Sequence, residues 1–142
     1  MLIRRLEDCP ACTAGDLTRL RELLHPDRQP AAIRYSLAQA QLEPGAASLP
    51  HILRSSEVYY ILSGRGIMDV NNEQRPVESG QAVYIPPGAV QSIQNTAQEP
   101  LVFLCIVDPA WQSTDETVLT DRAQNCHINS CSNAGNHVEK KV

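Results

Sequence analysis

No run of about 18 or more apolar residues occurs in this 142-residue chain, so no segment reads as a transmembrane helix. Basic surplus is missing too. Twelve Lys and Arg stand against 16 Asp and Glu, a net charge of −4, which argues against a nucleic-acid-binding face. No helix-turn-helix pattern accompanies the rest of the chain, which speaks against a self-contained transcription factor. The opening Met1-Leu-Ile-Arg-Arg-Leu-Glu-Asp8 turns acidic before the apolar core of a signal peptide could form, so a cytoplasmic protein is expected. Cys9-Pro-Ala-Cys12 lacks the βαβ setting that a thioredoxin-type motif needs, and a disulfide framework is not expected in a reducing cytosol. No internal repeat is evident.

The residues that are present describe one globular domain, with 42% hydrophobic and 20% charged residues. Residues 1–32 read as an N-terminal arm. Thr13 and Asp16 have capping-box spacing, and Leu17, Leu20, Leu23 and Leu24 recur at helical spacing before His25-Pro26. A short amphipathic helix is expected there. Residues 33–112 change to short runs rich in Val, Ile, Tyr and Leu, separated by turn signals such as Pro44-Gly45, Asn71-Asn72 and Pro86-Pro-Gly88. Strands are predicted near 33–43, 48–53, 57–62, 66–70, 74–77, 82–85, 90–94 and 101–107. Such a pattern indicates an all-β sandwich or barrel. Residues 113–142 are polar and predict a flexible C-terminal tail.

Within the β region, two stretches are similar to the paired signature motifs of the cupin superfamily. Gly45, His51, Glu57 and Gly64 fall at the spacing of the first motif, and Gly80, Pro86, Gly88 and Asn95 at that of the second. The resemblance covers roughly residues 33–108 and implies a double-stranded β-helix, the jelly-roll barrel also called RmlC-like. It further implies a pocket at the barrel mouth. In the family, two His of the first motif, the Glu, and a His of the second commonly hold a divalent metal. Here Leu53 replaces the second His and Gln91 replaces the third. That leaves His51, Glu57 and the amide oxygen of Gln91, a weak set because a neutral amide is a poor ligand. The favoured expectation is no tightly bound metal; the alternative is Zn, Fe, Mn or Ni on His51, Glu57 and Gln91.

Strand alternation says what else faces the pocket. An inward Glu57 brings Tyr59 and Ile61 with it, and an inward Gln91 brings Ile93 and Asn95. His51 and Leu53 share a face, so Leu53 makes the wall apolar where the ligand is missing. Glu57 and His51, with Tyr59, are the candidate catalytic residues. Gln91, Leu53, Ile61, Ile93 and Asn95 are the candidate ligand-binding ones. A desolvated Glu57 would have a raised pKa and could shuttle protons with His51, which suits a lyase, isomerase or cyclase. The alternatives are a metal-dependent oxygenase or sugar isomerase, and a non-catalytic ligand sensor. A small-molecule ligand is expected in each case, with neither nucleic acid nor membrane as partner.

The same alternation turns Val58, Tyr60 and Leu62 outward. Segment 101–107 is apolar on both faces, so the outer surface needs cover and a homodimer is expected, as the family resemblance implies. Cys105 reads as a small core residue. Cys9, Cys12, Cys126 and Cys131 are expected to be ordinary thiols, in preference to a zinc or redox site completed by His127 and His137.

Overall fold

The computed structural model describes residues 1–120. Eleven strands form two antiparallel sheets: β1 (Ala11–Thr13), β2 (Arg19–Leu24), β3 (Ser36–Leu42), β4 (His51–Leu53), β5 (Ser56–Ser63), β6 (Arg65–Val70), β7 (Glu73–Glu78), β8 (Ala82–Ile85), β9 (Val90–Asn95), β10 (Leu101–Asp108) and β11 (Glu116–Val118). One sheet has the order β1-β2-β3-β10-β5-β8, the other β11-β4-β9-β6-β7. The eight strands expected from alternation and turn residues are all present. The fold is the double-stranded β-helix.

Side-chain alternation builds the interior. Along β10, Leu101, Phe103, Cys105 and Val107 are buried while Val102, Leu104 and Ile106 face out half-buried. Strand β3 sends Ser36, Ala38, Ala40 and Leu42 inward. Two of these small residues, Ser36 and Ala38, leave open space on the inner wall. Ile61, Ile85, Ile93 and Leu101 seal the other part of the core at 0–1% exposure. The four motif glycines, Gly45, Gly64, Gly80 and Gly88, all have φ between 76° and 90°. At Gly64 a Cβ would also lie 2.8 Å from the Pro100 carbonyl oxygen, so both backbone conformation and space require glycine.

The N-terminal arm differs from expectation. Its only helical element is a 3-10 turn at Leu6–Asp8. Residues expected to be an amphipathic helix form a hairpin instead, with Ala11↔Arg21 and Thr13↔Arg19 in register. Asp16 does not cap a helix: its Oδ1 accepts from the N–H of Thr18 at 3.1 Å and from the Thr18 hydroxyl at 2.7 Å, closing the hairpin loop. Leu17 takes φ 75° there. Local leucine spacing lost because the exposed backbone of β3 offers a partner, and β2 pairs along it from Arg19↔Gln41 to Leu24↔Leu37.

The C-terminal segment is likewise structured at its start. Within the stretch expected to be flexible, β11 pairs with β4, setting Glu116 opposite Leu53 and Val118 opposite His51. No helix among the described residues is long and apolar enough to cross a membrane.

Candidate functional site

A cavity of about 500 Å³ opens between the sheets, within the usual range for small-molecule sites. His51, Leu53, Glu57 and Tyr59 line it together. Strand pairing explains part of this: His51 on β4 lies directly opposite Gln91 on β9. Glu57 comes from the other sheet, between Val107 and Ile85. Gln91 donates from Nε2 to Glu57 Oε2 at 2.8 Å, a buried side-chain contact that joins the two sheets. Gln91 itself lies behind the cavity wall at 1% exposure, and its Oε1 has no hydrogen-bond partner among the described residues.

Ile61, Ile93 and Asn95, expected among the ligand contacts, do not line the cavity. They do point inward, but at the level of the sealed core, where alternation alone says nothing about depth. Asn95 is structural: Nδ2 donates to the carbonyls of Leu42 at 3.0 Å and Glu99 at 2.8 Å, and Oδ1 accepts from Ala97 N–H at 2.9 Å.

Sequence reasoning missed Asp16, Trp111 and Glu116, all of which line the cavity. The hairpin loop brings in Asp16, whose Oδ2 lies 3.8 Å from His51 Nδ1. Strand β11 brings in Glu116, whose Oε2 accepts from the Trp111 indole N–H at 3.2 Å. Both acids lie outside the β region that motif spacing marks, and no local signal placed them here.

Burial pushes the Glu57 carboxyl up to about 8 from 4.5; the Gln91 hydrogen bond opposes that rise, and the charges of Asp16 and Glu116 add to it. At neutral pH Glu57 therefore carries its proton. Burial also raises Tyr59 well above the ordinary phenol value, with Glu57 adding to it, so its hydroxyl stays protonated. The Tyr59 ring packs against Phe103 with centroids 4.6 Å apart. Burial raises Glu116 as well, against the lowering influence of His51. His51 Nδ1 lies 2.8 Å from the Leu49 carbonyl oxygen. A carbonyl can only accept, so Nδ1 carries a proton and Nε2 is the nitrogen left for a ligand.

A divalent metal does not suit these residues. Gln91 turns an N–H donor, not its oxygen, toward the Glu57 carboxyl. Leu53 supplies no donor atom either, so two of the four positions that hold the family's metal offer it nothing. Among the described residues no three His, Cys, Asp or Glu side chains group around a common metal position.

The cysteines divide. Cys9 and Cys105 are buried free thiols, Cys9 donating weakly to the Arg5 carbonyl at 3.2 Å. Burial raises the Cys105 thiol well above its ordinary value, which keeps it unreactive. Cys12 is disulfide-bonded, against the expectation of an ordinary thiol, because pairing depends on spatial approach that sequence spacing does not encode. Cys126, His127, Cys131 and His137 lie outside the described residues.

Comparison with known proteins agrees with the geometry. Residues 38–107 match the cupin domain family. An uncharacterised protein of Methanocaldococcus jannaschii is 40% identical over 101 residues, covering 70% of this chain and 80% of its own. The chain belongs to the cupin superfamily. A predicted oxalate decarboxylase of Thermotoga maritima superposes with a TM-score of 0.68 at 22% identity, covering 76% of this cupin and 99% of that chain. A Streptomyces nucleoside dehydratase superposes at 0.66 and 18% identity, covering 84% and 91%. At those identities the likeness speaks for the fold alone, and cupins carry unrelated activities on it.

Proposed function

We propose that this cupin binds a small molecule and acts on it as a lyase, isomerase or cyclase, with Glu57 as the acid and His51 as the base. One observation carries the reading: a carboxyl with its pKa raised to about 8 lines the same cavity as an imidazole whose Nδ1 is occupied by the Leu49 carbonyl. An acid that holds its proton at neutral pH can protonate a leaving or carbonyl oxygen. The free Nε2 of His51 can take a proton from carbon or oxygen in the same ligand. Tyr59 supplies a hydroxyl donor to orient the substrate, since its raised pKa makes it a poor base. The dehydratase activity named for the Streptomyces neighbour is of this reaction class, which is consistent with the reading.

The test is turnover of a metabolite panel followed by proton NMR in heavy water, where abstraction from carbon also exchanges deuterium into the ligand. Glu57→Gln and His51→Ala are each expected to lower the rate by at least about a hundredfold. Equal turnover by either variant would overturn the assignment, and binding with no turnover in wild type would make the protein a sensor.

We further propose that the protein is a homodimer joined through the outer face of the β10-β5-β8 sheet. Tyr60, Leu62 and Tyr84 are 40%, 39% and 64% exposed there. Tyr60 lies beside Leu104, and Val58 beside both Ile106 and Tyr84, so the apolar surface is continuous. The N-terminal arm does not cover it: Pro10, Ala11, Cys12 and Ala14 line the cavity instead.

A further inference from the structure

The cavity offers hydrogen-bond acceptors where a ligand's polar end would sit. His51 and Asp16 line it with side chains only 4% and 6% exposed. Asp16 Oδ1 is used by Thr18, and Oδ2 lies too far from His51 at 3.8 Å for a hydrogen bond. His51 Nδ1 is used by Leu49, so Nε2 is the nitrogen left for a ligand. Glu116 adds a second carboxylate beside Leu53, only partly engaged by the Trp111 indole.

Among the described residues no arginine or lysine pairs with Asp16 or Glu116. Of the two arginines in the lining, Arg28 is ion-paired to Glu22 at 2.6 Å. Arg4 keeps its charge but is exposed, with its Nη2 3.6 Å from the thiol of Cys9. The rest of the lining includes apolar side chains, Leu53, Phe103, Val107 and the Trp111 ring.

We infer that the cavity takes a ligand with one apolar face and a polar end that donates hydrogen bonds and bears no negative charge, a hydroxyl or an ammonium. It rejects carboxylates and phosphates. An anion at the buried end would meet the Asp16 carboxylate, whose side chain is only 6% exposed, where like charges repel strongly. A donor there can bond Asp16 Oδ2, which meets His51 Nδ1 only at 3.8 Å, and can lie against His51 Nε2. The inference rests on the proposed function only in placing the ligand in this cavity; selectivity is read by binding alone.

Trp111 is the single tryptophan of the chain and lines the cavity, so its fluorescence reports occupancy directly. Three probes share a ring and a short linker: phenethylamine, 2-phenylethanol and phenylacetate. At neutral pH the amine and the alcohol are each expected to bind at least about tenfold tighter than the carboxylate. Asp16→Asn and Glu116→Gln should each shrink the amine-to-carboxylate ratio severalfold; should the first fail to fold, the second carries the test. An amine far tighter than the alcohol identifies an ammonium ligand, and equal affinities identify a hydroxyl donor. Phenylacetate binding as tightly as either donor would overturn the inference. So would the lack of a saturable response to both donors below about 10 mM. Charge selectivity that persists while Glu57→Gln keeps full turnover removes the acid–base reading alone. Lost selectivity with impaired Glu57→Gln turnover removes this inference alone.

Discussion

Gln91 hands a side-chain N–H to Glu57 across the interior at 2.8 Å, joining a strand of one sheet to a strand of the other. The contact is buried at both ends, with Gln91 1% and Glu57 5% exposed. It favours the charged form of Glu57, yet burial outweighs it, and the carboxyl stays protonated to about pH 8. The polar centre of the barrel is therefore an acid held in reserve.

Stability should fall as pH rises through this range. With a pKa of 4.5 unfolded and about 8 folded, Glu57 binds a proton in the native state that the unfolded chain has lost. Its contribution is thus most favourable below about pH 4.5, declines between there and about pH 8, and levels off above. Glu57→Gln removes this titration and keeps a neutral amide of similar shape. Thermal melts at several pH values should show the variant flattening that decline and exceeding wild type at alkaline pH. Parallel pH profiles for the two proteins would count against a buried titrating Glu57.

Asn95 should matter for folding and not for ligand affinity. Its three hydrogen bonds secure backbone groups at the end of β9, at zero exposure. Asn95→Ala is expected to cost about 3 kcal/mol in denaturant unfolding. Tryptophan titration of the folded fraction should return wild-type affinity.

Returning the family's imidazoles should create a metal centre. Leu53→His together with Gln91→His adds two donors near His51 and frees Glu57 from its amide partner. Elemental analysis after gel filtration, on protein without a histidine tag, should find about one divalent ion per chain in the double variant. Wild type should retain far less. Equal loading of the two proteins would mean that the existing residues already suffice.

The outer sheet face can be tested by charge. Tyr60→Glu places a carboxylate in the middle of the apolar surface that includes Leu104 and Val58. Light scattering should give twice the chain mass for wild type and a monomer for the variant, with the cavity's ligand affinity retained. A monomeric wild type would remove the dimer.

Much of the barrel was readable because its determinants are local. With Glu57 read as inward, Tyr59 and Ile61 are buried beside it on β5 while Tyr60 and Leu62 are exposed, as alternation expects. The arm was misread because Leu17, Leu20, Leu23 and Leu24 fit a helix locally, while the deciding partner, β3, is distant in sequence. Ile61, Ile93 and Asn95 were assigned the right face but not the right depth, since period-two alternation fixes direction across a sheet and not height along a barrel.

By itself the amino-acid sequence determined where the chain turns, which strand faces are apolar, and that His51, Leu53 and Glu57 would share an interior. Glycine at 45, 64, 80 and 88 meets a backbone demand that acts within a few residues. Tertiary structure alone decided that Asp16 and Glu116, a hundred positions apart in the chain, would stand at one cavity with His51. It also decided that Glu57 would keep its proton, because desolvation and charge–charge repulsion depend on distances through space, which no local pattern of residues records.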